Sequence, residues 1–304
     1  MTDSPTPRVN QCIELRQAGQ PLFYDIIGLS EPLSFERGHA MANTWADLIL
    51  VEFEHHPLDT RGLTNFMFGL CAGGPTRSGH RTPTVLCTLP ANGTTETEVQ
   101  ANAWQVRHIL ASGVHGLLLC HARSASATRA FVESSRYPTG EPGLDQGLSE
   151  GTRGLGGHTT AAEIWGLSHS EYIRRAAPWP LTPDGELLLG VKIEDRQGAA
   201  AAQEIAGTPG LFFGEWGPGD MGLSHGYPDA HDPPYTADLD KARQEVQTAC
   251  HNAGLAFLSS WNDPAMSVED RANHLLNNLG AEMICGDEAL ARVGRMITSR
   301  NRPV

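Results

Sequence analysis

The stretch LLLGVKIEDRQGAAAAQEIAGTPGLFFGEWGPGD, residues 187–220, decides the fold. Two short apolar runs, 187–193 and 211–216, flank a segment of helical period at 198–206. A short buried run, a helix and a second short buried run make a βαβ unit, which requires a parallel sheet. The same alternation recurs along the chain, with apolar runs at 21–27, 46–51, 84–89, 116–120, 255–260 and 282–285. Helices are predicted at 33–43, 59–70, 96–112, 124–134, 236–253 and 267–279, with a last one from Glu288. Eight such repeats predict an α/β fold, a closed (β/α)₈ TIM barrel, here a single domain over residues 1–304. The weakest part of that pattern is 139–183, rich in Gly, Ser and Pro, which is predicted to be a lid-like insertion with a small helix of its own at 168–176.

Composition narrows the function classes. Hydrophobic residues at 40% and charged residues at 19% fit a globular chain with a sizeable core. A net charge of -13 without a basic run argues against nucleic acid, because phosphate neutralisation needs clustered Lys and Arg. The same acidity repels anionic ligands, so a site for a carboxylated molecule needs a local cation. Six scattered cysteines with no CxxC spacing predict a reducing compartment. The polar start MTDSPTPRVNQC and the lack of a long uncharged stretch predict a cytoplasmic chain with no membrane partner.

In such a barrel the chemistry lies at the carboxyl ends of the strands. Three ends are conspicuously charged: Glu52-Phe53-Glu54-His55-His56-Pro57, Lys192-Ile193-Glu194-Asp195 and Gly217-Pro218-Gly219-Asp220. Glu194 and Asp220 project from neighbouring strands, and two carboxylates on rigid elements make a natural site for Mg²⁺ or Mn²⁺; otherwise both cap the helices that follow. His55 follows Glu52 by three residues, so that carboxylate is placed to orient its imidazole, with His56 a bystander. Lys192 shares a strand face with Glu194. It is either salt-bridged to Glu194 or Glu215, or a cation for a substrate carboxylate, or an amine of lowered pKa able to form a Schiff base. Glu215 is read as a structural partner of such a cation.

Several blocks together resemble the HpcH/HpaI class II 2-keto-3-deoxy acid aldolases, a family that includes macrophomate synthase and is related to the citrate lyase β-subunit. The resemblance runs from about Ala46 to Asp287. Its blocks are Ala46-Asp47 through Glu54-His55, Leu89-Pro90-Ala91-Asn92-Gly93, Arg136-Tyr137-Pro138, Arg153-Gly154-Leu155-Gly156, Trp179-Pro180-Leu181, Ile193-Glu194-Asp195, and Gly217-Pro218-Gly219-Asp220 through Gly226. The resemblance implies a barrel of the phosphoenolpyruvate/pyruvate-binding type that assembles as a homo-oligomer, a hexamer or trimer. It also implies a divalent cation (Mg, Mn or Co) on Glu194 and Asp220, with His55 as catalytic histidine and Glu52 as its partner. Thr88, Gly217, Pro218 and Gly219 then fall on the substrate-binding positions, and Lys192 joins the catalytic set. The implied reaction is reversible aldol cleavage of a hydroxylated 2-keto acid to pyruvate, or a pyruvate-like keto acid, and an aldehyde.

Two departures bear on that reading. Thr88 stands where the family carries an arginine at the end of the third strand, and Lys192 where an uncharged residue such as glutamine is usual. Lys192 is therefore read as supplying from the fifth strand the charge missing from the third. The altered position also leaves open a non-standard lyase or decarboxylase on the same scaffold, and a barrel that binds a ligand without turnover is the third reading. Residues 139–152 separate two blocks that the family joins directly, which predicts an enlarged lid beside the mouth. Cys120 and His121 close the fourth strand as pocket wall.

Overall fold

A computed structural model describes residues 7–28 and 30–300; the first six residues of the polar N-terminal stretch lie outside the described residues. Eight parallel strands close into a barrel in sequence order: β1 (Leu22–Ile27), β2 (Leu48–Val51), β3 (Thr84–Asn92), β4 (Gly116–Cys120), β5 (Leu188–Ile193), β6 (Phe213–Trp216), β7 (Ala256–Ser259) and β8 (Met283–Cys285). Each predicted apolar run marks one strand, with β3 extending past its run of 84–89 to Asn92, because a strand covered by neighbours on both faces must be apolar at nearly every position.

The interior is filled in layers. Leu22, Tyr24, Leu48, Leu50, Leu86, Leu118, Leu188, Phe213, Ala256, Leu258 and Met283 belong to one buried cluster. Side chains two apart on a strand share a face. Continuing those inward rows toward the carboxyl ends therefore brings Glu52, Thr88, Cys120, Lys192 and Glu215 into the barrel above an apolar base. The outer faces of the strands pack against the helices in a second, larger cluster that includes Ile49, Val51, Val85, Leu117, Leu119, Leu189, Val191 and Ile193.

One helix that the sequence pattern did not single out closes the base. Gln11–Gln17 buries Cys12, Ile13 and Leu15 in the interior cluster. It is capped by Asn10, whose side chain accepts from the Cys12 N–H and from the Thr84 hydroxyl while donating to the Glu186 carbonyl. The helix has only seven residues, too few to display a hydrophobic period of its own.

The excursion between β4 and β5 is not beside the mouth. Helix Ala125–Ser135 carries the chain back from the end of β4, and the following segment packs around the amino-terminal end of the barrel. Trp165 donates from its indole nitrogen to the Gly113 carbonyl at 2.8 Å and stacks on His115 with ring centroids 5.5 Å apart, both ahead of β4. Pro178 bridges to Leu187, and Arg175 pairs with Glu186 at 2.6 Å, both ahead of β5. The expected lid is thereby corrected to a collar on the opposite rim, because a helix following a parallel strand must return the chain to the strand's starting end. The collar contains the predicted small helix, His169–Arg175 capped by Ser168, and one not foreseen, His158–Trp165.

Two predicted helices are broken. Residues 96–112 form Glu96–Ala101 and Ala103–Ala111 on either side of Asn102, and 198–206 falls in Arg196–Ala200 and Ala202–Ala206. Among the described residues no helix is long and apolar enough to cross a membrane.

Burial of His115 in the collar pushes its imidazole down to about 3, with His80 adding repulsion. A base depressed in the folded state stays neutral there but takes up a proton once unfolded. Its contribution is therefore complete above the unfolded value near 6.5 and is lost as pH falls toward 3. Stability measured by urea titration is expected to decline from pH 6.5 to pH 4. His115→Gln should flatten that slope, and an unchanged slope would remove His115 as its source.

Candidate active site

Four acidic or imidazole side chains converge over the carboxyl end of the barrel. Glu54, His121, Glu194 and Asp220 each offer one ligand atom, and these atoms all lie within 4.8 Å of one another. They arrive from the ends of four strands: Glu54 beyond β2, His121 beyond β4, Glu194 beyond β5 and Asp220 in helix Pro218–Ser224 after β6. The sequence singled out Glu194 and Asp220 for a cation; Glu54 and His121 complete the group. His121 was readable as a polar residue closing an apolar run, and Glu54 lay inside the acidic block that closes β2.

Glu194 is fully buried, and its Oε1 accepts from the His121 backbone N–H at 2.7 Å. His121 adopts φ 48, a left-handed conformation unfavourable for a residue with a Cβ. That turn aims its N–H at Glu194 and swings its ring to 3.3 Å from Glu54 and 3.6 Å from Glu194. Backbone strain held in this way is characteristic of functional sites. The opposite wall depends on Gly217, where an added Cβ would stand 2.7 Å from Glu194 Oε2. Only glycine lets the Gly217-Pro218-Gly219 turn approach so closely.

Helix capping does not account for the two carboxylates. Asp195, not Glu194, caps Arg196–Ala200 by accepting from the Gly198 N–H, and it pairs with Arg123 at 2.7 Å. Helix Pro218–Ser224 has Gly217 at its N-cap and no side-chain cap hydrogen bond.

Lys192 Nζ lies 2.7 Å from Glu54 Oε2 and 2.9 Å from Glu194 Oε2. Burial alone would depress this ammonium, but Glu215, Glu194 and Glu54 outweigh it and hold the group well above the ordinary lysine range. The lowered-pKa amine considered for a Schiff base is thus the reverse of what these surroundings produce. Burial also raises the Glu215 carboxyl to about 7, Lys192 opposing and Glu54 reinforcing the shift. Burial likewise drives Glu194 well above the usual carboxylate range, and Lys192 only partly offsets it. Three carboxylates around one ammonium leave the centre short of positive charge. Consistent with that deficit, Glu54 Oε1 is a buried oxygen with no hydrogen bond among the described residues, and Glu194 Oε2 has only the Lys192 ion pair. Hard oxygen donors joined by one imidazole suit a divalent cation such as Mg²⁺ or Mn²⁺.

The anticipated Glu52–His55 side-chain pair is not formed. Glu52 accepts from the His55 backbone N–H at 3.0 Å, while its other oxygen takes His56 Nδ1 at 2.5 Å. The tight turn after β2 brings the fourth residue, not the third, over the carboxylate. The His55 ring is instead 58% exposed on the rim, with Nε2 3.6 Å from Glu54 and 4.0 Å from Asp220. Burial disfavours the Glu52 charge, yet these hydrogen bonds prevail and lower its pKa below 4.5.

Thr88 is buried, and its hydroxyl is already engaged. It accepts from Phe53 N at 2.7 Å and Glu54 N at 3.0 Å, and donates to Glu52 at 3.3 Å. The substrate contact read from its position is therefore replaced by a role in holding the turn that carries Glu54 and His55. The Cys120 thiol, wholly buried, is pushed well above the ordinary range by desolvation and forms inert wall.

No family model matches the chain. Relatives in sequence include a hydroxypyruvate/pyruvate aldolase from Paraburkholderia phytofirmans, 26% identical over 238 residues, covering 78% of this chain and 77% of that protein. A second, from Delftia acidovorans and of the same description, is 28% identical over 251 residues, covering 81% of this chain and 73% of the relative. Among solved structures, an HpcH/HpaI aldolase/citrate lyase family protein from Burkholderia cenocepacia superposes with a TM-score of 0.68 at 21% identity, over 94% of this chain and 95% of that one. In fold and in sequence the chain resembles the HpcH/HpaI aldolases.

Removing the Thr88 hydroxyl strands two backbone donors. Thr88→Val is expected to lower unfolding stability by about 1–3 kcal/mol in urea, with Thr88→Ser close to wild type. A valine variant as stable as the parent would show that the hydroxyl does not hold the turn.

Proposed function

We propose that the chain is a divalent-metal-dependent carbon–carbon lyase that catalyses reversible aldol cleavage of a hydroxylated 2-keto acid to pyruvate, or a pyruvate-like keto acid, and an aldehyde. The observation that carries this reading is the convergence of Glu54, His121, Glu194 and Asp220 over one end of a closed barrel, with a buried Glu54 oxygen that accepts no hydrogen bond among the described residues. Supporting it are the relatives described as hydroxypyruvate/pyruvate aldolases. Substrates of the same small keto-acid and aldehyde class, a cytoplasmic setting and a hexamer or trimer belong to this proposal.

Glu194 and Asp220 hold the cation, with Glu54 and His121 as neighbours able to share it. A cation held there supplies Lewis acidity, drawing electron density from a keto oxygen. The chain's own groups divide the remaining work. His55 stands on the rim with its ring toward Glu54 and Asp220, where it is placed to accept the proton from a hydroxyl whose carbon–carbon bond is to break, and to return it in the synthetic direction. Glu52 fixes the position of that histidine through the backbone rather than the ring. Lys192 contributes from β5 the positive charge that Thr88 does not contribute from β3, and the Gly217-Pro218-Gly219 turn borders the space left for a substrate carboxylate.

A panel of hydroxylated 2-keto acids should yield pyruvate or a related keto acid together with aldehyde. The activity should be abolished by chelator and restored by Mn²⁺ or Mg²⁺. Glu194→Gln and Asp220→Asn should each lower turnover about 10²–10³-fold. Full activity in chelator would contradict metal dependence, and carbon dioxide release without a carbonyl product would favour a decarboxylase.

A further inference from the structure

Lys192 occupies a place that a cation would need. Its ammonium bridges Glu54 Oε2 at 2.7 Å and Glu194 Oε2 at 2.9 Å, and both residues belong to the four that converge within 4.8 Å. An ammonium and a divalent ion held by the same two carboxylates compete for their negative charge and repel one another at short range. Each therefore weakens the other's hold on that pair of carboxylates.

The adjoining strand offers the ammonium somewhere else to go. Lys192 and Glu215 are register partners across β5 and β6, and both sit on the inward rows. Glu215 is not among the converging ligand groups, and its carboxylate lies outside ion-pair distance of Lys192 in this conformation. The four-carbon stem of lysine has several rotatable bonds, so its head can change partners without backbone movement. Gly217 leaves the stem little room on its own side, since an added Cβ there would stand 3.0 Å from Lys192 Cε.

We propose that Lys192 is a resident competitor for the cation: its ammonium fills the seat between Glu54 and Glu194 in the metal-free protein and transfers to Glu215 when a divalent ion binds. The inference rests on the reading of the site as a cation site. Its consequence is a cation affinity set by exchange with an internal charge. Occupancy of the site would then depend on the ambient concentration of free metal, and the barrel would keep its buried carboxylates paired when the ion is absent.

Calorimetric titration of the metal-stripped full-length protein with Mn²⁺ tests this. Lys192→Met should bind Mn²⁺ roughly tenfold tighter or more, the factor expected for removing a charge-assisted contact that must otherwise be broken. Glu215→Gln, which leaves Lys192 with one seat, should bind more weakly than wild type. In the double variant the Glu215→Gln effect should shrink, since no ammonium remains to relocate.

If wild type binds Mn²⁺ and Lys192→Met binds no tighter, the competition is disproved while the cation site stands. If Glu215→Gln weakens binding equally in both backgrounds, loss of through-space attraction to the Glu215 carboxylate replaces seat exchange, and the proposal fails. If neither wild type nor Lys192→Met binds Mn²⁺, the cation reading fails and the competition with it. Should Lys192→Met not fold, Glu215→Gln alone decides, because unchanged Mn²⁺ affinity in that variant eliminates the second seat.

Discussion

Crowding of Glu54, Glu194 and Glu215 around the single ammonium of Lys192 is the constraint on which the upper half of the barrel depends. Carboxylates removed from water are tolerated only when countercharge and hydrogen bonds replace the lost solvation. Here the replacement is incomplete: the His121 N–H satisfies one oxygen of Glu194, and Lys192 is divided between two acids. A cation bound at this end of the barrel would offset that surplus of negative charge. The same acids hold the pKa of a lysine standing inside a strand above its ordinary range.

The rest of the architecture serves to hold that arrangement in place. The apolar interior below, closed by helix Gln11–Gln17, gives the acidic rows a dry, rigid base. Thr88 pins the turn after β2, the left-handed His121 turns the chain after β4, and Gly217 admits the chain after β6. Each device acts at a strand end, where the backbone leaves the ladder and can be aimed. The collar made by 139–183 stabilises the opposite rim through Trp165, Arg175 and Glu186, away from the chemistry.

Much of this was legible in the sequence because it follows from periodicity. Fully buried parallel strands read as apolar runs; seven of the eight lie within the runs identified, and β3 starts with its run and extends past it to Asn92. Glu194 and Asp220 were visible because each breaks such a run at its carboxyl end. What escaped was set by tertiary geometry. The base-closing helix is too short to show a period, and the excursion after β4 declares its polarity but not the rim on which it lies. The Glu52 turn gives its backbone interaction to His55 and its ring interaction to His56, a distinction that depends on dihedral angles and not on spacing. His121 and Glu54 were in view but could not be ranked, because their value comes from converging with residues more than seventy positions away in the chain.

The central claim is that acidic side chains from adjacent strands jointly hold one divalent ion. Crystals grown with Mn²⁺ and measured at an anomalous wavelength address it directly. The account predicts one strong peak about 2.1 Å from oxygens of both Glu194 and Asp220, as expected for a small hard divalent ion. No peak there, or a peak touching only one of the two with the other carboxylate turned away, would contradict it.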